Sequence, residues 1–314
     1  MGIIKSLMIN FQTATLVGCA IGDALGNPFE MKPAISPSLT TWDGLFKAGG
    51  TFWKGDAGQY TDDTLMSIAL SKSIIQSTGF DPKDVANEYL NWYLSKNTRG
   101  IGTTTATALE NLKLGYSWEQ SGLISSRSGG NGTAMRAAPI GLVYRNKLNL
   151  VLKYAVEDAS ITHNSLEPKM GSCAIALATA ILTDRDVGTI AMSSLLGNII
   201  SVLLDSEVKS KLQDVQKALH EKIDPKVVLA SIGTSGYVPE SVGAAFYCLL
   251  ATSSFEDAVV MAVRGGGDTD TIAAMTGAMA GTYYGLDGIP EHYKSVENFD
   301  LLTSLDRELI NIDI

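Results

Sequence analysis

The chain has 314 residues, long for one domain but ample for a large core, and 45% are hydrophobic against 18% charged. Its net charge of −9 (24 Lys and Arg against 33 Asp and Glu) argues against a basic nucleic-acid-binding surface. Three scattered cysteines in apolar runs argue against a disulfide framework or a zinc site and fit a reducing cytoplasm.

Residues 5–24 read as a helix that runs into Gly22-Asp23-Ala24-Leu25-Gly26. Leu16-Val17-Gly18-Cys19 has the form of a lipoprotein cleavage box, but Asn10, Gln12, Thr13 and Thr15 interrupt the apolar stretch, so no export signal is expected. Asn27-Pro28 breaks the helix. Residues 31–58, with Pro33, Pro37 and several glycines, read as irregular, and so long a segment suits a functional lid. Helices are expected at 61–78, 82–95 and 102–114, the second starting at Asp81-Pro82. A Ser/Gly-rich stretch, 121–132, closes on Gly129-Gly130-Asn131-Gly132.

Further helices are expected at 133–145, 148–160, 165–183, 187–204, 207–220, 239–251, 254–263, 270–284 and 300–312. Turns fall at Asp224-Pro225 and 233–239. The stretch 187–204 carries no charge, but its Thr, Ser and Asn residues mark a buried core helix and not a membrane span. No segment alternates as a strand should. With no repeat and no linker, one all-α domain over residues 1–314 is expected, its helices packed closely through Gly and Ala.

Two stretches carry the chemistry. Arg264-Gly265-Gly266-Gly267-Asp268-Thr269-Asp270-Thr271 is a glycine turn that delivers two carboxylates to the start of an apolar helix. Tyr60-Thr61-Asp62-Asp63-Thr64 opens another helix in the same way. Alone, either is compatible with an ordinary helix cap. Together they would bring four carboxylates into one pocket, which must protonate or bind cations. Oxygen ligands select hard divalent ions, and two would suit the ligand count. The loop Gly130-Asn131-Gly132-Thr133-Ala134-Met135-Arg136 offers backbone N–H groups to phosphates, with Arg136 as a candidate fork, or is a plain turn and cap. His163, after an apolar helix, reads first as a structural residue; His220 and His292 carry no assignment.

These segments together resemble the ADP-ribosylglycohydrolase family: Gly22-Asp-Ala-Leu-Gly26 with Glu30, Tyr60-Thr-Asp-Asp-Thr64, Gly130-Asn-Gly-Thr-Ala-Met-Arg136, Thr162-His163, Val238-Pro-Glu240, and Gly266-Gly-Asp-Thr-Asp-Thr-Ile272, in family order. The resemblance implies an all-α, compact single-domain orthogonal helix bundle with a central di-metal cleft. It implies two Mg2+ or Mn2+ ions held by Thr61, Asp62, Asp63, Asp268, Asp270 and Thr271. Glu30, on a mobile flap, joins Asp62, Asp63 and Asp270 as the catalytic set. Asp23, Gly130, Asn131, Gly132, Met135 and His163 fall where the family binds ADP-ribose. Some relatives stack adenine on an aromatic residue two before the Asn-Gly; Gly129 stands there, which leaves the task to another ring such as Tyr237.

The implied activity is metal-dependent hydrolysis at the anomeric carbon of the ribose, removing ADP-ribose from a modified acceptor, with arginine on a protein the first choice. Alternatives are a catalytically weak ADP-ribose-binding protein and a di-metal phosphoesterase. A cytoplasmic monomer acting on an ADP-ribosylated acceptor, with no membrane and no nucleic-acid partner, is expected.

Overall fold

Two helices far apart in sequence lie so close that their backbones touch. The Thr15–Gly26 helix runs antiparallel to the Thr269–Tyr284 helix, with Ala14, Gly18 and Gly22 facing Gly281, Gly277 and Ala273. A β-carbon on Gly22 would sit 1.9 Å from the Ala273 carbonyl oxygen, so only glycine fits. The small residues recur every four positions on both helices, which keeps them on one face of each. Every residue of the first helix is buried.

The computed structural model describes residues 12–124, 129–183 and 188–313. Among them are sixteen α-helices, which share one hydrophobic core around this central pair. The Phe299–Ile310 helix reaches back to cap the first helix. Its buried Asp306 accepts the Leu16 N–H at 2.9 Å and the Val17 N–H at 3.3 Å. That distant cap, with Thr13 and Thr15 joined by their hydroxyls, starts the helix at Thr15; residues 12–14 are not helical, and the rest of the expected extension lies outside the described residues.

Most expected helices are present within a residue or two. The 133–145 helix shrinks to Ala138–Val143, because turns continue from the glycine loop to residue 136 and Pro139 opens the helix. Asp224-Pro225 is not a turn but the start of Pro225–Ile232, its carboxylate accepting the Lys226 N–H at 2.9 Å. The Gly188–Val202 helix is not wholly buried. Leu195, Leu196 and Ile199 face the core while Gly197 and Asn198 are exposed. No helix among the described residues is long and apolar enough to cross a membrane.

One sheet element escapes a pattern search because each strand has only two residues. Lys32–Pro33 pairs antiparallel with Gly266–Gly267, and Met31 N–H donates to the Gly267 carbonyl at 2.6 Å. This rung pins the segment after Glu30 to the residues just before Asp268.

Candidate active site

The Asp62–Gln76 helix begins beside the start of the Thr269–Tyr284 helix. Thr61 does not cap its own helix with its side chain. Asp23 supplies the cap from the first helix. Its carboxylate accepts the Thr61 N–H (2.9 Å) and hydroxyl (2.9 Å), and the Thr64 N–H (3.1 Å) and hydroxyl (2.7 Å). Asp62 and Asp63, in the first turn, are left to line a cleft of about 500 Å³. Across it, Asp268 is the N-cap of the second helix and Asp270 lies in its first turn. The Thr271 hydroxyl comes within 3.4 Å of Asp63 Oδ2, and the Thr61 hydroxyl within 3.3 Å of the same atom.

Glu30 completes the cluster. Its carboxylate oxygen, with those of Asp268 and Asp270, forms a set in which all lie within 4.8 Å of one another. Burial and mutual repulsion set the charge states. Burial pushes Asp62 up to about 8, with Asp23 and Asp268 adding repulsion, and the Gly102 N–H partly offsets this. Burial, then Asp268, Asp62 and Asp23, push Glu30 up to about 8. Asp63 and Asp270 are raised well above the ordinary range, first by burial and then by neighbouring carboxylates.

The opposite wall is the glycine loop. Gly130, Asn131, Gly132, Met135 and His163 all line the cleft. The Asn131 amide donates to Asp268 Oδ2 at 2.6 Å, which ties this loop to the carboxylate cluster. Burial and the nearby Arg136 guanidinium push His163 down to about 3, so its imidazole is neutral.

Two sequence expectations change, those for Asp23 and Arg136. Asp23 does not line the cleft; it is fully buried, and its oxygens are engaged by Thr61 and Thr64. Arg136 offers no fork to a phosphate. It is fully buried and ion-paired with Asp158 at 3.0 Å. The space beside Gly129 is filled by the Tyr237 ring, whose Cε2 would lie 2.4 Å from a β-carbon there. The structure also brings to the cleft residues that the motifs passed over: Phe52, Thr98 and the stretch 100–105. The last had a readable signal, since Gly100-Ile101-Gly102 is a second glycine turn entering a helix, Thr103–Lys113. A larger groove of about 1220 Å³, lined by Met31, Ile35, Leu229 and Val260, contains none of the site's aspartates.

The donor set fits divalent cations. It is all oxygen, it is buried, and Asp63 Oδ1 has no hydrogen-bond partner among the described residues. A buried acceptor left open on a carboxylate is a position that a cation would satisfy.

Comparison with known proteins decides the family. A profile of the ADP-ribosylglycohydrolase family matches residues 12–313. The chain belongs to the ADP-ribosylglycohydrolase family. It is 34% identical over 280 residues to an uncharacterised protein of Archaeoglobus fulgidus, covering 85% of each chain. It is 30% identical to the ADP-ribosylarginine hydrolase Tri1 of Pseudomonas putida, over 88% of this chain and 71% of that one. Human ADP-ribosylhydrolase ARH3 is also 30% identical, over 91% of this chain and 88% of its own length. A solved ADP-ribosylglycohydrolase-related protein complex superposes with a TM-score of 0.77 at 28% identity, covering 96% of this chain and 97% of that one. This ADP-ribosylglycohydrolase is therefore an enzyme of glycosidic-bond hydrolysis with the all-α fold of its family. Its acidic cluster is one that could hold a metal ion.

Proposed function

We propose that this enzyme uses two Mg2+ or Mn2+ ions to release ADP-ribose from an ADP-ribosylated protein, with arginine as the acceptor. The observation that carries the reading is the convergence of Asp62, Asp63, Asp268 and Asp270, from two helix starts, on a cleft whose other wall is a glycine loop. The acceptor choice rests on the relative named ADP-ribosylarginine hydrolase. Three buried free cysteines suit a cytoplasmic enzyme.

Asp62, Asp63, Asp268 and Asp270 would hold the ions, with Thr61 and Thr271 adding hydroxyl oxygens. Bound there, divalent ions supply Lewis acidity, lowering the pKa of water and fixing sugar hydroxyls. The chain's residues do the rest. The N–H groups of Gly130 and Gly132 would receive the diphosphate, the Asn131 N–H being held by the Gly236 carbonyl at 3.2 Å, and Met135 and His163 would bound the ribose beside it. Tyr237, standing over Gly129, offers a ring face to adenine. The transition state of glycoside cleavage has oxocarbenium character, and Asp62, Asp63 and Asp270 set negative charge beside it. Glu30, at the cleft edge on the lid segment, excludes water and steers the ribose. Asp23 and Asn131 act through others: the first caps the helix bearing Asp62, and the second steadies Asp268.

The deciding experiment incubates the enzyme with defined arginine-linked and serine-linked ADP-ribosyl proteins, with and without Mg2+. Free ADP-ribose from the arginine-linked protein, only with metal, is expected. Release of AMP would mean that the pyrophosphate broke and the enzyme is a phosphoesterase. Binding of ADP-ribose without any turnover would make it a reader.

A further inference from the structure

We infer that Thr162 and the buried Arg136 are positioning residues that lock His163 as an Nε2–H donor directed into the cleft. This deepens the proposed function, since the donor would serve a phosphate or hydroxyl oxygen of bound ADP-ribose.

Arg136 is fully buried. Its Nε donates to Asp158 Oδ2 at 3.0 Å and its Nη1 to the Gly132 carbonyl at 2.7 Å. Its Nη2 donates to the Asp158 carbonyl at 3.0 Å and to Thr162 Oγ1 at 3.1 Å. Tyr89 closes the group: its ring lies 4.7 Å under the guanidinium, and its hydroxyl donates to Asp158 Oδ1 at 2.6 Å. Arginine only donates, so the Thr162 oxygen must accept from it. Among the described residues the other contact of that hydroxyl is His163 Nδ1, at 2.9 Å. The Thr162 proton therefore goes to Nδ1, which must present a lone pair. A neutral imidazole then carries its one proton on Nε2. That nitrogen faces the glycine loop: a β-carbon on Gly130 would come within 3.3 Å of it.

One buried guanidinium thus sets two things together. Through Gly132 it holds the loop that would receive the diphosphate; through Thr162 it fixes the tautomer of the ring beside that loop. A ring with its proton on Nδ1 would instead turn a lone pair toward the same oxygens and repel them.

The chain has three histidines, so the ring signals of a 15N-histidine-labelled protein are few enough to assign by variants. Long-range 1H–15N correlation on the ligand-free enzyme should show the His163 proton on Nε2. Thr162→Val should mix the tautomers and weaken ADP-ribose binding about tenfold, the scale of one hydrogen bond, and Thr162→Ser should restore both. A wild-type His163 with its proton on Nδ1, or a Thr162→Val protein with unchanged tautomer and affinity, would overturn the inference. Failure of wild-type protein to bind ADP-ribose would instead sink the functional reading, while the ligand-free spectrum still tests the tautomer.

Discussion

Gly26 presses its bare Cα against Asp270: a β-carbon on Gly26 would lie 2.4 Å from the Asp270 Cα and backbone nitrogen. The Thr269 hydroxyl fixes the same junction, donating to the Gly26 carbonyl at 2.8 Å. With Asp23 capping the helix of Asp62, the Gly22–Gly26 stretch becomes the gauge that spaces the two acidic helix starts. It acts on the site without touching a substrate.

Gly26→Ala should therefore damage the site more than the fold. The added methyl must push the backbone at Asp270 away, an overpacking cost of about 1–3 kcal/mol. Mg2+ affinity should fall tenfold or more, while the helical circular-dichroism spectrum is kept. Calorimetric titration that finds wild-type Mg2+ affinity in this variant would show that the contact does not set the site.

Metal binding should stabilise the protein more as pH rises. Asp62 and Glu30 are raised to about 8 from an ordinary value of ~4. The folded metal-free protein thus holds protons that the unfolded chain has released. The stability these groups contribute is complete below pH ~4 and is lost as pH climbs through about 8. Cations replace those protons, so their benefit is smaller at pH 6 than near pH 9. At one fixed Mg2+ concentration, a hundredfold over the Kd at pH 9, the benefit there is about 2.7 kcal/mol, or roughly 5 °C in melting temperature, and it is smaller at pH 6, where Kd is weaker. EDTA should abolish both the shift and turnover. An equal shift at pH 6 and pH 9 would contradict the assigned charge states.

The four acidic ligand candidates were legible because the signal is local: a glycine or threonine turn, two carboxylates, then an apolar helix. Close packing through Gly and Ala was legible in the 273–281 run, but its pairing with the Thr15–Gly26 helix was not, because the partner lies at the other end of the chain. The role of Asp23 was not, because its partners Thr61 and Thr64 lie 38 and 41 residues on, and nothing local distinguishes a capping carboxylate from a binding one. Arg136 misled for the same reason, since its partner Asp158 lies 22 residues on, in the Leu148–Thr162 helix. Asp224-Pro225 was a different kind of miss. The same cap-and-proline signal that marks Asp81-Pro82 stands there, opening a helix of 8 residues where the other opens one of 13.

Glu30 and the segment after it should behave as a hinged lid. Much of the segment is anchored: Leu39 and Trp42 are buried in the core, Arg264 donates to the Trp42 carbonyl at 2.9 Å, the Tyr293 hydroxyl to the Gly44 carbonyl at 2.8 Å, and the Glu297 N–H to the Gly58 carbonyl at 2.9 Å. Met31 adopts a left-handed backbone (φ 64°), unusual for a residue with a side chain, and leads into the rung with Gly266–Gly267. The Thr51 hydroxyl donates to the Glu30 carbonyl at 2.6 Å, and the Asn27 amide donates to the Gly49 carbonyl at 3.0 Å. The loop so anchored closes on itself through a Gly49–Gly55 bridge and carries Phe52, 67% exposed, to the cleft mouth. The moving part is therefore this loop, whose residues 47–54 are exposed or half-buried, and not the core-anchored stretch around Leu39 and Trp42. Closure would exclude water and strengthen every charge interaction around the ribose. Hydrogen exchange across residues 28–58 should slow when ADP-ribose binds. Glu30→Gln should lower kcat markedly and, since its carboxylate lies with those of Asp268 and Asp270, weaken metal binding less than Asp270→Asn does. Thr51→Val, which cuts the tie between loop and lid base, should lower kcat less than Glu30→Gln and weaken the exchange protection over 49–55. If ligand leaves exchange in this segment unchanged and Glu30→Gln turns over normally, residues 31–58 are only a connection between two helices.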